Sequence, residues 1–254
     1  MQLKKKLKNK LIRIAKLISH AGVCSRKEAE NLIENKKVKI NDKVFTNFFI
    51  PYDQIKSIKV NNKIIKKTYT KVWILNKPVG YVCSNKEQFS QKSIFRLIPN
   101  NFPRVVTVGR LDINSDGLII LTNNPALSSY LETPHNKIER IYKVKVFGSI
   151  DSEIKKKSNN SLFIDGVLYQ NFKVKFLTNK NNNNLLEIYL TEGKNREIRK
   201  ILGSFDLKVK KLTRISFGPF KLNKLDKGEI IQIDNILLQR FFKSINFNNE
   251  DNFG

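Results

Sequence analysis

The chain has 254 residues, of which 40% are hydrophobic, and it carries a formal net charge of +26. This length and apolar content exclude an intrinsically disordered chain and allow one large domain or two smaller ones. No apolar run approaches the roughly 20 residues of a bilayer-spanning helix, and the basic N-terminus lacks the apolar segment of a secretory signal. The two cysteines, Cys24 and Cys83, predict no disulfide framework, which suits a cytoplasmic protein.

The positive charge predicts a polyanionic partner. Residues 1–70 hold 18 Lys and Arg against 5 Asp and Glu, which is half of the net charge in little over a quarter of the chain. Lysine supplies 38 of the 48 basic residues, so part of the charge also fits a lysine-rich composition without a specific role. Arginine is rarer and more informative, because its planar guanidinium forms forked hydrogen bonds and stacking contacts.

The chain is predicted to begin with a basic extension at 1–10 and a small α/β module at 11–60. Periodic apolar positions predict a helix over 11–21 that ends at Gly22. The pattern Ser25-Arg-Lys-Glu28 predicts a capping box that opens a second helix.

Two short alternating strands follow these helices, KVKIND and IKVNNK. The pair Asn41-Asp42 predicts the turn after the first strand. The polar, basic residues 61–70 then predict a linker to the next domain.

Residues 71–245 predict a mixed, mainly antiparallel α+β domain, with a frayed tail at 246–254. Eight β-branched or aromatic-rich segments predict strands: VWILNKP, RVVTVG, GLIILT, ERIYKVKVFG, NFKVKFLT, LLEIYLTEG, VKKLTRISF and EIIQI. Four intervening segments predict helices: PALSSYLE, DSEIKKK, NREIRKILGSF and NILLQRFFKSI.

The stretch GRLDINSDGLIILTNN contains the opening half of an EF-hand calcium loop, starting at Asp112. Its twelfth position is Asn123, where calcium requires a bidentate Glu, and strand-like segments flank it instead of helices. Calcium is therefore not predicted. Ser115, Asp116 and Gly117 are better interpreted as a turn between strands, with glycine supplying the positive φ.

Asp112 then lies at the edge of a sheet, two residues after Arg110. A carboxylate needs no histidine to activate it as a nucleophile, and the two histidines, His20 and His135, stand in no triad or metal spacing. From the residues alone, an ordinary turn-forming aspartate and a glycosidase pair with Asp116 also remain open.

Four motifs resemble, in order, those of the RsuA/RluB family of ribosomal RNA pseudouridine synthases: NKPVG (76–80), GRLDINSDGLIILTN (109–123), RIYKVKVFG (140–148) and EGKNREIRKIL (192–202). The resemblance covers essentially all of residues 71–235. The segment RIAKLISHAGVCSRKEAENLIENKKVKIND is similar to the S-four-type RNA-binding module that precedes this catalytic domain in the family. Together they imply a pseudouridine synthase fold behind an RNA-binding module.

The resemblance implies that Asp112 is the catalytic aspartate, acting on the base, on the sugar, or first on a sugar proton. It also implies that Tyr142 stacks on the uracil, that Arg199 pairs with Asp112, and that Arg110 helps to extrude the target nucleotide. Arginine at position 199 predicts a bidentate fork on the carboxylate. Further RNA contacts are expected from Lys77, Asn195, Arg196, Arg13, Lys16, Ser25, Arg26 and Lys27.

The segment NREIRK has a physical logic of its own. Asn195 is predicted to cap the following helix, and Arg196 and Arg199 are three residues apart on one face of its positive N-terminus. There they can meet a carboxylate or a phosphate, although a solvated helix start is the alternative for Arg196.

The version NREIR, together with SFGPFKLNKLDKGE, resembles the RluB branch and implies a large-subunit rRNA target. A small-subunit target and a non-catalytic ribosome-assembly factor remain the alternatives. Ser115 stands where the family usually has Thr, and Asn124-Pro125 replaces its usual acidic-glycine pair. Neither a cofactor nor a metal is expected, and the protein is expected to be monomeric.

Overall fold

The computed structural model describes residues 11–66, 69–84, 87, 90–151, 153–180, 183–245 and 247. The predicted extension at 1–10, most of the tail and part of the linker lie outside these residues. The helices are α1 (Ile14–His20), α2 (Arg26–Glu34), α3 (Pro125–Glu132), α4 (Glu153–Lys157), α5 (Glu197–Gly203) and α6 (Asn235–Ser244). Short 3-10 helices lie at Tyr52–Gln54, Ile94–Leu97 and Pro134–Asn136.

The first strands, up to the predicted linker, are β1 (Leu11–Arg13), β2 (Val38–Ile40), β3 (Lys43–Val44), β4 (Phe49–Pro51), β5 (Ile58–Val60) and β6 (Lys63–Ile64). The following strands are β7 (Val72–Lys77), β8 (Tyr81–Val82), β9 (Lys92–Ser93), β10 (Val106–Val108), β11 (Asp116–Thr122), β12 (Arg140–Phe147), β13 (Leu162–Ile164), β14 (Val167–Tyr169), β15 (Lys173–Lys180), β16 (Asn183–Leu190), β17 (Lys208–Phe217), β18 (Phe220–Lys221) and β19 (Ile230–Gln232).

The N-terminal module packs α1 and α2 against a four-stranded sheet with the order β3-β2-β5-β6. Its apolar side chains form a cluster of their own, which includes Ile14, Ile18, Ala29, Ile33 and Val38. The predicted capping box is confirmed, because the Ser25 hydroxyl accepts from the Glu28 N–H and the Glu28 carboxylate accepts from the Ser25 N–H. The helix predicted over 11–21 is shorter, because residues 11–13 pair with β4 as a strand.

The turns of this module have the backbone that two-residue hairpins need. Asn41 and Asp42 both have positive φ, at 49° and 68°, as predicted, and so do Asn61 and Asn62, at 48° and 63°. The second turn connects β5 to β6. Residues 61–64, which the sequence assigned to the linker, therefore belong to the last hairpin of the module.

The second part of the chain is built on a nine-stranded sheet with the central order β15-β16-β12-β17-β11-β7-β19. The strands β10 and β18 pair with β11 and β17 at its side. Its pairings are antiparallel, except that Asp116 and Gly117 of β11 run parallel to Thr213 and Arg214 of β17. The predicted fold class, α+β with a mainly antiparallel sheet, is confirmed.

The two faces of this sheet bury different clusters. One face carries Tyr142, Val144, Leu186 and Ile188 and packs against Ile198 and the rest of α5. The opposite face of β7 and β11 is covered by α3 and α6, through side chains such as Leu127, Leu131, Leu238, Phe241 and Phe242. The cleft described next opens on the first of these faces.

Candidate active site

The segment Asp112–Ser115 forms a tight turn immediately before β11. The N–H of Ser115 donates to the carbonyl of Asp112 at 3.0 Å, and the N–H of Gly80 donates to the carbonyl of Ile113 at 2.9 Å. The turn predicted at residues 115–117 thus lies slightly earlier, and Asp116 already belongs to the strand. Asp112 is displayed at the tip, with 30% of its side chain exposed.

The side chain of Lys77 stabilises this turn by hydrogen bonds to backbone carbonyls. The side chain is fully buried, and its ammonium donates to the carbonyls of Pro78, Asp112 and Ser115 at 3.1, 3.1 and 2.7 Å. Burial lowers the pKa of Lys77 to about 8. The prediction that Lys77 contacts RNA is therefore wrong, because every donor of its ammonium points to a backbone carbonyl.

Gly117 permits the close approach of β11 and β17. Its φ is +104°, and a Cβ at this position would lie 2.3 Å from the carbonyl oxygen of Arg214. Only glycine fits both the conformation and the space. The strand that follows Asp112 can therefore lie beside the strand that carries Arg214.

Two arginines face the carboxylate of Asp112. Its Oδ2 lies 3.8 Å from Nη1 of Arg196 and 3.9 Å from Nε of Arg199. The bidentate fork predicted for Arg199 is not formed, because its Nη2 donates to the carbonyl of Asn114 at 3.1 Å and its Nη1 to that of Val209 at 3.4 Å. The guanidinium is anchored to backbone and presents only its Nε to the carboxylate.

The start of α5 also differs from its prediction. The helix begins at Glu197, and the residue in the N-cap position is Arg196, with a left-handed φ of 52°. Asn195 is exposed and does not cap the helix. The predicted proximity of Arg196 and Arg199 is nevertheless observed, because both meet Asp112.

Asp112 and Arg196 line an open cleft with a volume of about 1060 Å³. Tyr142, on β12, lines the cleft with 8% of its surface exposed and is the Cα partner of Arg214 in the sheet. Arg110 and Asn195 also line it, and both are exposed. The structure therefore brings together Asp112, Tyr142, Arg110, Asn195, Arg196 and the neighbouring Arg199.

Two further arginines belong to this cleft, and the sequence assigned neither a role. Arg140 and Arg214 are buried and lie 4.6 and 5.1 Å from the ring centroid of Phe217. Arg214 donates Nε to the carbonyl of Leu118, and its buried Nη2 has no hydrogen-bond partner. The scarcity of arginine in the chain was a signal that each arginine could have a role. The burial of these two beside Phe217 was not predictable, because it depends on the pairing of β12 with β17.

Two glutamates of the same cleft were also missed. Glu192 and Glu197 are 7% and 3% exposed. A solvated carboxylate is the usual expectation for Glu, and no local pattern predicts that this pair is buried.

Asp116 does not form a second free carboxylate. It is 2% exposed, and its oxygens accept from the hydroxyl of Thr213 and the ammonium of Lys227. A glycosidase pair of Asp112 and Asp116 would need both carboxyls to face one bond. The structure commits Asp116 to the sheet instead.

The basic residues predicted for RNA in the N-terminal module lie on β1, α1 and α2. Arg26 and Lys27 are exposed, and Lys16 is half-buried. Arg13 is exposed and pairs with Glu30 at 2.7 Å. Ser25 uses its hydroxyl to accept the Glu28 N–H, so its oxygen is engaged in the helix cap.

None of the described helices is long and apolar enough to cross a membrane. Within the described ranges, no group of three or more His, Cys, Asp or Glu side chains could hold a metal ion.

Residues 71–204 match the model of the RNA pseudouridylate synthase family, and residues 12–47 match the S4 domain. An RNA pseudouridine synthase of Rickettsia typhi is 39% identical over 243 residues, which cover 95% of this chain and 100% of that protein. The chain belongs to the RNA pseudouridine synthase family. It is therefore an isomerase that acts on uridines in RNA, as the motifs implied.

Other relatives agree with this membership. A protein named ribosomal large subunit pseudouridine synthase B, from Buchnera aphidicola subsp. Baizongia pistaciae, is 36% identical over 84% of this chain and 89% of its own length. A crystal structure of a pseudouridylate synthase has a TM-score of 0.65 and 22% identity, and covers 90% of this chain and 98% of that one. At this identity, the likeness to the solved structure concerns the fold.

Proposed function

We propose that the enzyme converts a specific uridine of large-subunit ribosomal RNA to pseudouridine, with Asp112 as its catalytic carboxylate. The observation that carries this proposal is the position of Asp112. It lies at the tip of a turn whose carbonyls are bound by the ammonium of Lys77, and within 4 Å of two arginines. Its oxygens face an open cleft large enough for an extruded nucleotide. A carboxylate in this setting needs no activating base.

The neighbouring groups supply the remaining functions. Tyr142 stacks on the uracil, since its side chain lines the cleft beside Asp112. Arg110 occupies the exposed rim, where it can fill the place that the target nucleotide leaves. Such extrusion is required, because a stacked and paired base cannot be turned within a helix.

The reaction exchanges one bond to the ribose for another. The bond from N1 of uracil to C1′ breaks, the base turns, and a bond from C5 to C1′ forms. The hydrogen of C5 leaves as a proton and N1 gains one, so no oxidant is consumed. Arg196 and Arg199 keep positive charge beside the carboxylate throughout this sequence.

The large-subunit target is supported by two relatives. The two Buchnera proteins named ribosomal large subunit pseudouridine synthase B are 36% and 32% identical to this chain. A small-subunit target is the alternative within the same activity. A non-catalytic assembly factor is less well supported, because Asp112, Tyr142 and Arg199 are all present and close together.

The N-terminal module, residues 11–64, is proposed to hold the RNA while the domain at 71–245 modifies it. Arg13, Lys16, Arg26 and Lys27 lie on or beside the helices of this module. Phosphate contacts from such residues add affinity without reading the base sequence.

The experiment is to map pseudouridines in both ribosomal RNAs from cells with the gene, without it, and with an Asp112→Asn copy. We expect one large-subunit position to lose pseudouridine in the deletion and to regain it only with the wild-type copy. A lost position in the small subunit would redirect the target. An unchanged map in both RNAs would contradict the proposal.

A further inference from the structure

The segment between β16 and α5 carries two buried carboxyl groups, one at each end. Glu192 is 7% exposed and Glu197 is 3% exposed. Both line the cleft that contains Asp112. Two carboxylates taken out of water need donors or protons, because burial penalises the charged form.

Glu192 has its donors. Its Oε1 accepts from the N–H of Gln170 at 2.8 Å, and its Oε2 accepts from the ammonium of Lys194 at 2.6 Å. The same ammonium also donates to the carbonyl of Leu168 at 2.6 Å. Glu192 is thus equipped to remain a carboxylate.

Glu197 has one donor and one oxygen without a donor. Its Oε2 accepts from the N–H of Lys194 at 2.9 Å, whereas its Oε1 is buried and has no partner other than the adjacent carboxyl of Glu192. Two carboxyls in contact form a hydrogen bond only when one of them carries a proton.

None of the surrounding cations donates to the unpartnered Oε1 of Glu197. Lys194 is shared between Glu192 and Leu168, as described above. Arg140, on β12, donates to the carbonyls of Ile138, Thr191 and Leu131. Arg214, on β17, donates its Nε to Leu118, and its buried Nη2 bonds neither carboxyl. The strand β13, which also packs on α5, carries no ionisable side chain.

We propose that Glu192 and Glu197 share one proton at neutral pH, and that Glu197 in its acid form is a positioning residue that holds Arg196 beside Asp112. The proton stays within the pair, and no bond to the substrate is involved. This inference rests on the proposed role of Asp112, although the shared proton itself does not.

Arg196 depends on this closure because its backbone is strained. A left-handed conformation is unfavourable for a non-glycine residue, because its Cβ crowds the following carbonyl oxygen, and Arg196 adopts one with a φ of 52°. Two hydrogen bonds between Lys194 and Glu197 close the turn around it. The N–H of Lys194 donates to the carboxyl of Glu197 at 2.9 Å, and the N–H of Glu197 donates to the carbonyl of Lys194 at 3.2 Å. The carboxyl of Glu197 is therefore part of what fixes the guanidinium 3.8 Å from Asp112.

Ionisation of Glu197 would place two buried negative charges in contact. Burial, with the added negative charge of Glu192, raises the pKa of Glu197 to about 8, although the N–H of Lys194 acts in the opposite direction. Above this pH the two carboxylates repel each other, and the turn that carries Arg196 is expected to open.

The same titration predicts the direction of the stability change. An acid whose pKa is higher in the folded state binds its proton more tightly there, so its contribution is complete below the pKa of the unfolded chain. The contribution is lost as the pH rises from about 4.5 to about 8. The substitution Glu197→Gln keeps a neutral side chain at every pH and should flatten this part of the profile.

The first test measures the unfolding of the full chain between pH 5 and 9 without RNA. The control is Glu132→Gln, which replaces an exposed carboxyl of the same cleft. We expect the free energy of unfolding to decrease over this range in the wild type and in this control. Glu197→Gln should lose less. Equal slopes for Glu197→Gln and the wild type would overturn the shared proton.

The second test measures tritium release from unmodified large-subunit rRNA labelled at C5 of uracil, with each variant normalised to its own rate at pH 7. A pKa of about 8 predicts a wild-type rate about tenfold lower at pH 9 than at pH 7. Glu197→Gln should lose this decrease, and Glu132→Gln should keep it. A decrease that survives in Glu197→Gln would overturn the positioning role.

The two measurements separate this inference from the proposed function. If the wild type releases no tritium from this RNA, the proposed target is wrong, and the unfolding slopes still decide whether the proton is shared. If the slopes differ as expected but the alkaline decrease is unaffected, the pair titrates without positioning Arg196, and the inference fails.

Discussion

The Nε atom of Arg199 lies 3.9 Å from Oδ2 of Asp112 and makes no hydrogen bond. The same guanidinium is fixed by donating to the carbonyl of Asn114 in the turn that displays Asp112. Positive charge is thus held beside the carboxylate without a fork that occupies its lone pairs. This arrangement leaves the carboxylate accessible to a substrate, as the role proposed for Asp112 needs.

The substitution Asp112→Asn is expected to reduce pseudouridine formation by more than 100-fold, because an amide can serve neither as nucleophile nor as base. The amide preserves the size of the side chain, so unfolding and RNA affinity should stay close to those of the wild type. Tritium release and RNA binding should be measured on the same preparation. Activity of more than a few per cent would remove Asp112 from its proposed role.

Replacing Lys77 by Met is expected to destabilise the protein by about 2–3 kcal/mol, because three carbonyls lose their donor. It should also lower kcat by roughly 100-fold, since a displacement of about 1 Å in a reacting group has such effects. Lys173→Met, in an exposed strand position, is the matched control. If both variants keep full activity, the ammonium is not needed to shape the turn.

Gly117→Ala is expected to destabilise the fold by about 3 kcal/mol, because strain at its φ of +104° adds to the collision with the backbone of Arg214. Gly166→Ala tests strain alone, since its φ is +75° but nothing lies within 4 Å of the added Cβ. That control should cost about 1 kcal/mol. Chemical denaturation of the two variants measures the difference, and equal losses would show that the close approach is unimportant.

Removing residues 1–68 is expected to leave a folded catalytic domain with much weaker RNA binding. Each phosphate contact contributes about −0.9 to the log–log salt slope on a duplex, and less on single strands. Neutralising Arg13, Lys16, Arg26 and Lys27 together should therefore flatten the slope by about two to four units. If the affinity and the slope are unchanged, the lysine-rich composition alone explains this charge.

Acid is expected to loosen the N-terminal module through His20. Burial and the charges of Lys16 and Arg26 lower the pKa of this residue to about 4. Between pH 6.5 and 4 the unfolded chain binds a proton that the folded module does not, so stability falls as the pH falls. Amide exchange in α1 should report more opening at pH 5 than at pH 7, and His20→Gln should reduce this difference.

Long elements with a strong pattern were predictable from the sequence. The alternation in β12 places Tyr142, Val144 and Val146 inside and two lysines outside, and the continuous apolar run of β11 matches a strand that is buried throughout. The capping box of α2 is equally local, because its two partners are three residues apart.

The failures concern features that depend on distant residues. Lys77 is buried because carbonyls 35 and 38 residues further along the chain surround its ammonium. The fork expected for Arg199 is not formed, because its Nη2 donates instead to the carbonyl of Asn114, 85 residues earlier in the chain. No local pattern contains either partner. Three-residue strands such as β1 and β13 are too short to show alternation.

The parallel contact between β11 and β17 has a consequence for synthesis of the protein. Asp112 is translated before the midpoint of the chain. The sheet beside it is completed only when Gly117 of β11 pairs with Arg214 of β17, which is translated about 100 residues later. A nascent chain that has not yet released residues 208–217 from the ribosome has its aspartate without the strand that sets its surroundings. The cleft therefore lacks Leu212, Arg214 and Phe217 for as long as that strand is held inside the ribosome.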